Sequence, residues 1–233
     1  MIIAIDGPAG SGKSTVAKLI ASRLAFSYLD TGAMYRAVAY RALQDQIDLT
    51  EPLSAQSIER IVGIAQNEPI GFGYEEGQAL PSKIFIGKTE VTSYIRTPEV
   101  DRAVSPVSAE PGVRTALTEQ QRRFGEANNT VMEGRDVGTV VFPNAELKIY
   151  LTASAEERAQ RRTIQNAASA GLPYDESEYL RILADILRRD VYDSTREVAP
   201  LAVATDSIIL DTTDMAIEAV VSHIVDLAKA RMQ

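Results

Sequence analysis

The residues with the clearest chemical potential form one segment near the start of the chain, where glycines surround a lysine and two hydroxyl side chains. The segment consists of Gly7, Pro8, Ala9, Gly10, Ser11, Gly12, Lys13, Ser14 and Thr15. Glycines let backbone N–H groups approach a polyphosphate closely, and a following helix N-terminus adds partial positive charge. In this pattern Lys13 contacts the β- and γ-phosphates, Ser14 ligates Mg²⁺ directly and Thr15 lies on the α-phosphate side. The segment therefore predicts a nucleoside triphosphate site.

A glycine-rich turn between a strand and a helix can also be purely structural. The Lys13–Ser14 pair at this offset has no packing reason to exist, which favours nucleotide binding. The loop leaves the fate of the γ-phosphate open, because GTPases, motor ATPases, nucleotide-sensing modules and small-molecule kinases share it. A GTPase is the least favoured, since no Asn-Lys-x-Asp stretch follows a strand to read guanine.

A second cluster of reactive side chains follows the next apolar run. Thr31, Tyr35 and Arg36 come directly after the strand predicted at 28–30. In a doubly wound sheet the carboxyl ends of the strands share one edge, and ligands bind there. These three side chains are therefore expected to face an acceptor beside the phosphate loop.

A third cluster lies between two glycines at the end of another apolar run. Glu133 occupies the place of a Walker B acid that can order Mg²⁺ through water, and Arg135 and Asp136 project beyond the strand end. Arg135 and Asp136 could instead be a solvated ion pair, but their place at the predicted functional edge favours a binding role.

A fourth cluster is basic within an acidic protein. Its arginines are Arg158, Arg161, Arg162, Arg181, Arg188, Arg189 and Arg196, with Asp190 and Asp193 among them. Singly, any of these could be a solvated helix residue. Together they predict a short helical lid over roughly residues 158–190, because phosphoryl transfer between two nucleotides gathers negative charge that arginines can neutralise.

The elements that must position these clusters alternate between short apolar runs and segments with helical periodicity. This pattern predicts an α/β fold, a P-loop core with a five-stranded parallel sheet and helices on both faces. The predicted strands are 2–6, 28–30, 130–133, 147–151 and 207–211. A helix is predicted over 13–24, with Val16, Leu19, Ile20 and Leu24 on its buried stripe.

The helix ends are also marked. Ser154 with Glu157 forms a capping box, and Gly171 is expected to end the helix that it opens. Pro98 and Pro111 stand where helices begin. Asp214 is expected to cap the last helix.

One stretch departs from the alternation. Five turn residues, Gly71, Gly73, Gly77, Pro81 and Gly87, separate β-rich runs such as 83–86 and 90–95. This spacing predicts a small antiparallel β insert over 67–95, carried by a core of 1–66 and 96–233.

Composition limits the partners. A formal charge of −8 argues against a nucleic-acid polymer, because such binding depends on a basic face. No apolar run approaches the length of a membrane span, and the absence of cysteine fits a reducing compartment. We therefore expect a cytoplasmic monomer that binds no membrane and acts on small molecules.

Across nearly its whole length the chain resembles the bacterial cytidylate kinase family. The resemblance is carried by GPAGSGKST, LDTGAMYRAVA, IRTPEV, EGRDVGTVVFP and RRDVYDSTREVAPL, in that order and spacing. It implies transfer of the γ-phosphoryl group of ATP to CMP or dCMP, with Mg²⁺ and no other cofactor. It also implies a monophosphate-binding domain enlarged by the β insert.

The resemblance further implies roles for individual residues. Ser105, Arg114 and Asp136 would read cytosine, and Arg36 and Arg135 would clamp the acceptor phosphate. Arg189 and Asp193 would contact the acceptor phosphate and sugar, with Thr31 and Tyr35 nearby. The implied catalytic set is Lys13, Arg135, Arg158, Arg162 and Arg189. Glu133 and Thr31 depart from the family pattern, in which Asp and Ser are often found.

Two alternatives stay open at this stage. One is a kinase of another small acceptor, such as shikimate, or of a different nucleoside monophosphate. The other is a regulatory module that binds ATP without transferring it. A phosphate monoester is already anionic near neutral pH, so no general base is required, and His223 is expected only to pack or to face solvent.

Overall fold

The computed structural model of the protein describes residues 1–75, 78 and 80–232. The strands within these residues are β1 (Ile2–Asp6), β2 (Ser27–Asp30), β3 (Ile70–Tyr74), β4 (Pro81–Ile86), β5 (Thr89–Glu90), β6 (Thr130–Gly134), β7 (Leu147–Thr152) and β8 (Ile208–Asp211). They form two sheets, a parallel sheet with the order β2-β6-β1-β7-β8 and an antiparallel sheet with the order β3-β4-β5. The five predicted parallel strands are confirmed.

The helices cover both faces of the parallel sheet. They are α1 (Lys13–Leu24), α2 (Thr31–Gln44), α3 (Ala55–Asn67), α4 (Pro98–Ala109), α5 (Pro111–Ala127), α6 (Ala155–Ala170), α7 (Glu176–Thr195) and α8 (Ile217–Met232), with a π-helical turn at Val137–Val141. Strand β1 is buried on both faces: Ala4 points to a core with α2 to α5, and Ile3 and Ile5 point to a core with α1 and α8.

The sheet register sets the functional edge. Asp6 at the end of β1 is aligned with Gly134 at the end of β6, and Asp30 at the end of β2 is aligned with Glu133. The phosphate loop and the third cluster therefore leave the sheet side by side, as parallel strands dictate.

The predicted buried stripe of α1 is wrong at one position. Val16 and Ile20 are buried, but Leu19 is exposed. Ala17 and Ala21 pack on the sheet beside Val16 and Ile20, and this face lies on the opposite side of the helix from Leu19.

The expected helix ends are largely confirmed. The Ser154 hydroxyl accepts the Glu157 N–H at 3.1 Å, and Gly171 ends α6 in the left-handed conformation with φ 65°. Both α4 and α5 begin at the expected prolines. The Asp214 cap is wrong, because α8 begins three residues later, at Ile217.

The second sheet corresponds to the predicted β insert, and it packs on the core that contains α2. Ile86 is fully buried in that core, and the Phe72 ring meets the Phe124 ring of α5 edge to face, with centroids 6.1 Å apart. The predicted strand at 90–95 is wrong beyond Glu90. Val91 and Ile95 are both buried, and the Ile95 N–H donates to the Val91 carbonyl, so they share a face through a helical turn. Gly77 lies outside the described residues.

None of the helices in the described part of the chain is long and apolar enough to cross a membrane.

Candidate functional site

The phosphate loop is a tight turn between β1 and α1 in which glycine is required by space and by backbone conformation. A Cβ on Gly7 would lie 2.0 Å from the Leu151 carbonyl oxygen. Gly10 and Gly12 have φ of 78° and 87°, in the left-handed region that side chains disfavour. The loop thus keeps its backbone free to approach a ligand.

Lys13 lies folded into this loop. Its ammonium donates to the Pro8 carbonyl at 2.7 Å and to the Ser11 hydroxyl at 3.3 Å. Burial lowers the pKa of Lys13 to about 7, as does Arg135, while Glu133 and Asp6 raise it. The lysine is therefore a buried cation whose present partners are neutral groups, which an anionic phosphate would replace favourably.

Ser14 and Glu133 are the residues that could hold Mg²⁺. Burial raises the pKa of Glu133, and so does Asp30, whereas Lys13 and the nearby Ser14 hydroxyl lower it. The Tyr28 hydroxyl donates to one oxygen of Glu133. A hydroxyl and a carboxylate are hard oxygen groups of the kind that Mg²⁺ prefers, and this cation keeps several water or phosphate ligands. The metal role of both residues stays a prediction.

Thr31 is fixed at the same edge by the end of β6. Its hydroxyl donates to the Glu133 carbonyl at 2.7 Å, and a Cβ on Gly134 would lie 2.6 Å from that hydroxyl oxygen. The glycine thus permits the close packing of α2 against β6.

Arg36 and Arg189 meet on one carboxylate. Arg36 donates to the Ile95 carbonyl at 3.1 Å and pairs with Asp101, and Arg189 approaches the same Asp101 oxygen at 3.9 Å. Burial would raise the pKa of Asp101, but Arg36 lowers it, helped by Arg189 and Arg162. Two arginines expected to bind an acceptor phosphate are thus held together by an anion of the protein itself.

Arg135 lies near both the phosphate loop and this arginine pair. Its Nε donates to Asp193 at 2.9 Å. Besides burial, Arg135 is the main cause that lowers the pKa of both Lys13 and Arg189, so its charge is close to both cations. The donor loop and the arginine cluster therefore both lie near Arg135.

A buried ion pair forms the deepest part of the site. Asp136 and Arg114 are only 6% and 4% exposed and are hydrogen-bonded to each other. Arg114 also donates to the Ser108 carbonyl at 2.9 Å and lies over the Tyr35 ring, 5.4 Å from its centre. The second oxygen of Asp136 lies 3.8 Å from Arg196.

Buried polar atoms of Tyr35 and Arg196 lie beside this pair without a hydrogen-bond partner. Among the described residues, the buried side-chain atoms without a hydrogen bond are the Tyr35 hydroxyl, Gln121 Nε2, the Thr139 hydroxyl and Arg196 Nη2. Tyr35 lies close enough to Arg114, Asp136 and Arg196 for each to alter its pKa. Since unpaired buried polar groups destabilise a fold, the atoms of Tyr35 and Arg196 beside this pair indicate a place for a polar ligand.

Arg158 joins the loop to the last of the basic helices. It is buried and donates to the Ala9 carbonyl at 2.9 Å and to the Ala153 carbonyl at 2.9 Å. It also forms a two-pronged pair with Asp190 of α7.

Three predicted site residues are not brought into these clusters by direct contacts. Arg162 and Thr15 are exposed. Ser105 is half-buried on α4, where its carbonyl accepts the Ser108 hydroxyl at 3.0 Å. Their roles stay predictions.

Sequence reasoning gave no role to Asp101 and Asp6, and assigned Arg196 only to the basic cluster rather than to the base pocket. Asp101 stands in the first turn of α4, Arg196 lies beside Asp136, and Asp6 ends β1 directly before the loop. The position of Asp6 at a strand end is a signal that could have been used. No local pattern marks the other two, because their partners are distant in sequence.

The fold and this edge define a class of protein. A parallel sheet whose first strand leads through a glycine-rich loop with Lys13 into a helix, beside a rim of buried arginines, is a P-loop kinase.

Comparison with known proteins narrows the class. The model of the cytidylate kinase family matches residues 3–230. A cytidylate kinase of Enterococcus faecalis is 48% identical over 230 residues, covering 98% of this chain and 96% of that protein. One from Carboxydothermus hydrogenoformans is 47% identical over 227 residues, covering 97% and 96%. The chain belongs to the cytidylate kinase family.

Solved structures are more distant. A shikimate kinase from Acinetobacter baumannii in complex with shikimate is 18% identical, with a TM-score of 0.42 over 98% of this chain and 93% of that one. This likeness is too weak to bear on the acceptor.

Proposed function

We propose that the chain transfers the γ-phosphoryl group of ATP to CMP or dCMP, giving ADP and CDP or dCDP. The observation that carries the proposal is the buried Asp136–Arg114 pair with unpaired polar atoms of Arg196 and Tyr35 beside it, in a chain of the cytidylate kinase family. It rests equally on the phosphate loop, whose Lys13 lies near Arg135, the residue that precedes Asp136.

The polar pocket suits cytosine. The exocyclic amine of cytosine can donate to the Asp136 carboxylate, and its ring carbonyl and ring nitrogen can accept from arginine. Uracil presents a carbonyl in place of the amine, which would put two acceptors against each other. Asp136, Arg114 and Ser105 are the proposed base contacts, with Arg196 and Tyr35 added from the unpaired atoms.

The acceptor phosphate is proposed to bind among Arg36, Arg135 and Arg189, where it would replace Asp101 as the shared anion. Asp193, paired with Arg135, is within reach of a sugar hydroxyl bound beside it. Thr31 lies at the same strand end. Placed there, an oxygen of the monophosphate points toward the phosphate loop.

Transfer then requires positioning and charge neutralisation. An acceptor oxygen, already anionic, forms a bond to the γ-phosphorus while the bond to the β-phosphate oxygen breaks and ADP leaves. Lys13 and Arg135 would hold the developing charge, and Arg158, Arg162 and Arg189 would contribute from α6 and α7. Bound Mg²⁺, held by Ser14 and through water by Glu133, would supply further neutralisation of the phosphate oxygens.

The domain roles follow from this arrangement. Residues 67–95 would extend the monophosphate-binding part, and roughly 158–190 would form a lid that excludes water. A monomeric, cytoplasmic enzyme stays our expectation.

A coupled assay with ATP and a panel of acceptors tests the proposal. CMP and dCMP should show the highest kcat/KM, ahead of UMP, AMP, GMP and shikimate. Equal or better turnover of UMP or shikimate would contradict it, and binding of ATP with no transfer to any acceptor would instead favour a regulatory module.

A further inference from the structure

One buried carboxylate at the functional edge has a geometry that the proposed mechanism leaves unused. Asp6 ends β1 directly before the phosphate loop and is 5% exposed. Its two oxygens accept the N–H groups of Val137 at 2.8 Å and Gly138 at 2.7 Å, across 131 and 132 residues of sequence. These are the first residues of the π-helical turn and follow Asp136 directly.

We propose that Asp6 is a positioning residue for the acceptor base, which fixes the backbone that carries Asp136 and so sets the distance of its carboxylate from a bound cytosine. This inference rests on the proposed function. Asp136 reaches its other partners, Arg114 and Arg196, only through its side chain, whereas Asp6 holds the peptide that follows it.

The packing around the π-helical turn leaves room for the contact with the Asp6 carboxylate. A Cβ on Gly138 would lie 3.3 Å from Asp6 Oδ2 and 3.2 Å from Lys148 Cδ. Glycine at this position therefore lets the Asp6 carboxylate approach the backbone closely, and π-helical turns are frequent at functional sites.

Stabilisation by an ion pair does not explain why the Asp6 carboxylate is buried. Burial raises the pKa of Asp6 to about 6, as does Asp136, although the two N–H groups and Lys13 lower it. Because the folded pKa is above the ordinary 3.8, the ionised carboxylate disfavours the folded state at neutral pH. A buried carboxylate that destabilises the folded state at neutral pH is consistent with a functional role in the site.

Other strand-end aspartates of the same sheet offer a contrast. Asp211 ends β8, is exposed, and accepts the N–H of Thr213, only two residues away, at 3.0 Å. Asp211→Asn is therefore a matched control that removes a strand-end carboxylate without touching the base pocket.

The test compares Asp6→Asn with wild type and with Asp211→Asn by calorimetric binding of CMP and ATP separately, and by kcat/KM for CMP and UMP. Asparagine can accept only one of the two N–H groups and turns its own NH₂ toward the other. CMP affinity should fall about ten- to hundredfold, and the preference for CMP over UMP should shrink. ATP affinity should fall less than CMP affinity, because the Asp6 charge also raises the pKa of Lys13 and so favours its ammonium form. The control should match wild type.

The binding and kinetic results decide whether Asp6 positions Asp136. An equal loss of ATP and CMP affinity, or an unchanged CMP preference, would overturn the positioning role. If Asp6→Asn does not fold, Gly138→Ala disturbs the same contact from the other side, and unchanged CMP affinity in that variant would also overturn it. A wild-type protein that does not phosphorylate CMP would refute the proposed function itself, whereas wild-type CMP activity with an unaffected Asp6→Asn variant refutes only this inference.

Discussion

The donor loop and the acceptor rim use opposite means to prepare for a phosphate. The loop is a continuous segment of nine residues that relies on glycine backbone and on Lys13, whose hydrogen bonds go to neutral oxygens. The rim draws arginines from α2, α5, α7 and the turn after β6, and each arginine is already paired with a carboxylate. The donor loop is preorganised because its residues are adjacent in the sequence. The acceptor rim is preorganised by ion pairs that a ligand must share or replace.

This contrast affects how each site should respond to substitution. Loss of the lysine should abolish charge stabilisation for which the loop has no substitute. Changes in the rim should alter affinity and selectivity, because several arginines share the anion.

The largest effect is expected for Lys13→Met. The variant removes the loop ammonium that faces the γ-phosphate, so kcat should fall by about a thousandfold or more. Melting temperature should be retained, because a buried charge is replaced by an apolar chain of similar length. The exposed Lys18 on the same helix supplies the control Lys18→Met, and near-normal turnover of Lys13→Met would contradict the donor assignment.

Asp136→Asn should have the next largest effect. This substitution tests the acceptor rim, whereas Lys13→Met tests the donor loop. The amide can donate to the carbonyl that uracil presents, so the KM for CMP should rise and the preference for CMP over UMP should fall by about a hundredfold. Steady-state kinetics with both acceptors measures this. ATP affinity should be unchanged, and Asp226→Asn on the exposed side of α8 serves as the control. Unaltered selectivity between CMP and UMP would show that Asp136 does not contact the base.

The pH dependence of ATP binding sharpens the contrast. Burial and Arg135 lower the pKa of Lys13 to about 7, so above that pH the free protein must take up a proton to present an ammonium to ATP. Affinity should fall toward about tenfold per pH unit above pH 7. Calorimetry at pH 6.5 and 8.5 in buffers of different ionisation enthalpy would report the uptake.

Lys13→Met is the control for this experiment, since it has no amine to titrate. The same depressed pKa means that Lys13 destabilises the folded state most at and below pH 7, and this destabilisation is lost as pH rises toward 10.5. A pH-independent affinity with no proton uptake would show that Lys13 stays charged in the free loop.

The smallest effect is expected for Asp101→Asn. Asp101 is 31% exposed and shares its oxygen with Arg36 and Arg189, so it repels an acceptor phosphate bound to the same arginines. Its removal should lower the KM for CMP about two- to fivefold with kcat unchanged. A rise in KM would show that Asp101 instead holds the two arginines in a productive position.

The donor side could be predicted from sequence because its information is local. The loop motif lies between β1 and α1 as expected, and the strand ends place Thr31 and Glu133 beside it. Helix caps such as Ser154 were predictable for the same reason, since the capping oxygen and its donor are three residues apart.

The acceptor side could be predicted only in part. The contacts of Asp101 with Arg189 and of Asp136 with Arg196 join residues 60 to 88 positions apart, and they arise from the packing of helices. The prediction of a strand at 90–95 was wrong for the same reason, because burying Val91 and Ile95 in the core that contains α2 favoured a turn over the alternating pattern. Tertiary packing decided both cases.

Arg158 connects the start of α6 both to the core and to α7. Its guanidinium is tied to the Ala9 and Ala153 carbonyls on the core side, and to Asp190 on α7. A swing of α7 away from the loop would have to break the pair with Asp190 while Arg158 stays with the core. Opening of the proposed lid at α7 would therefore cost the Arg158–Asp190 ion pair, while the contacts of Arg158 with the two core carbonyls could persist.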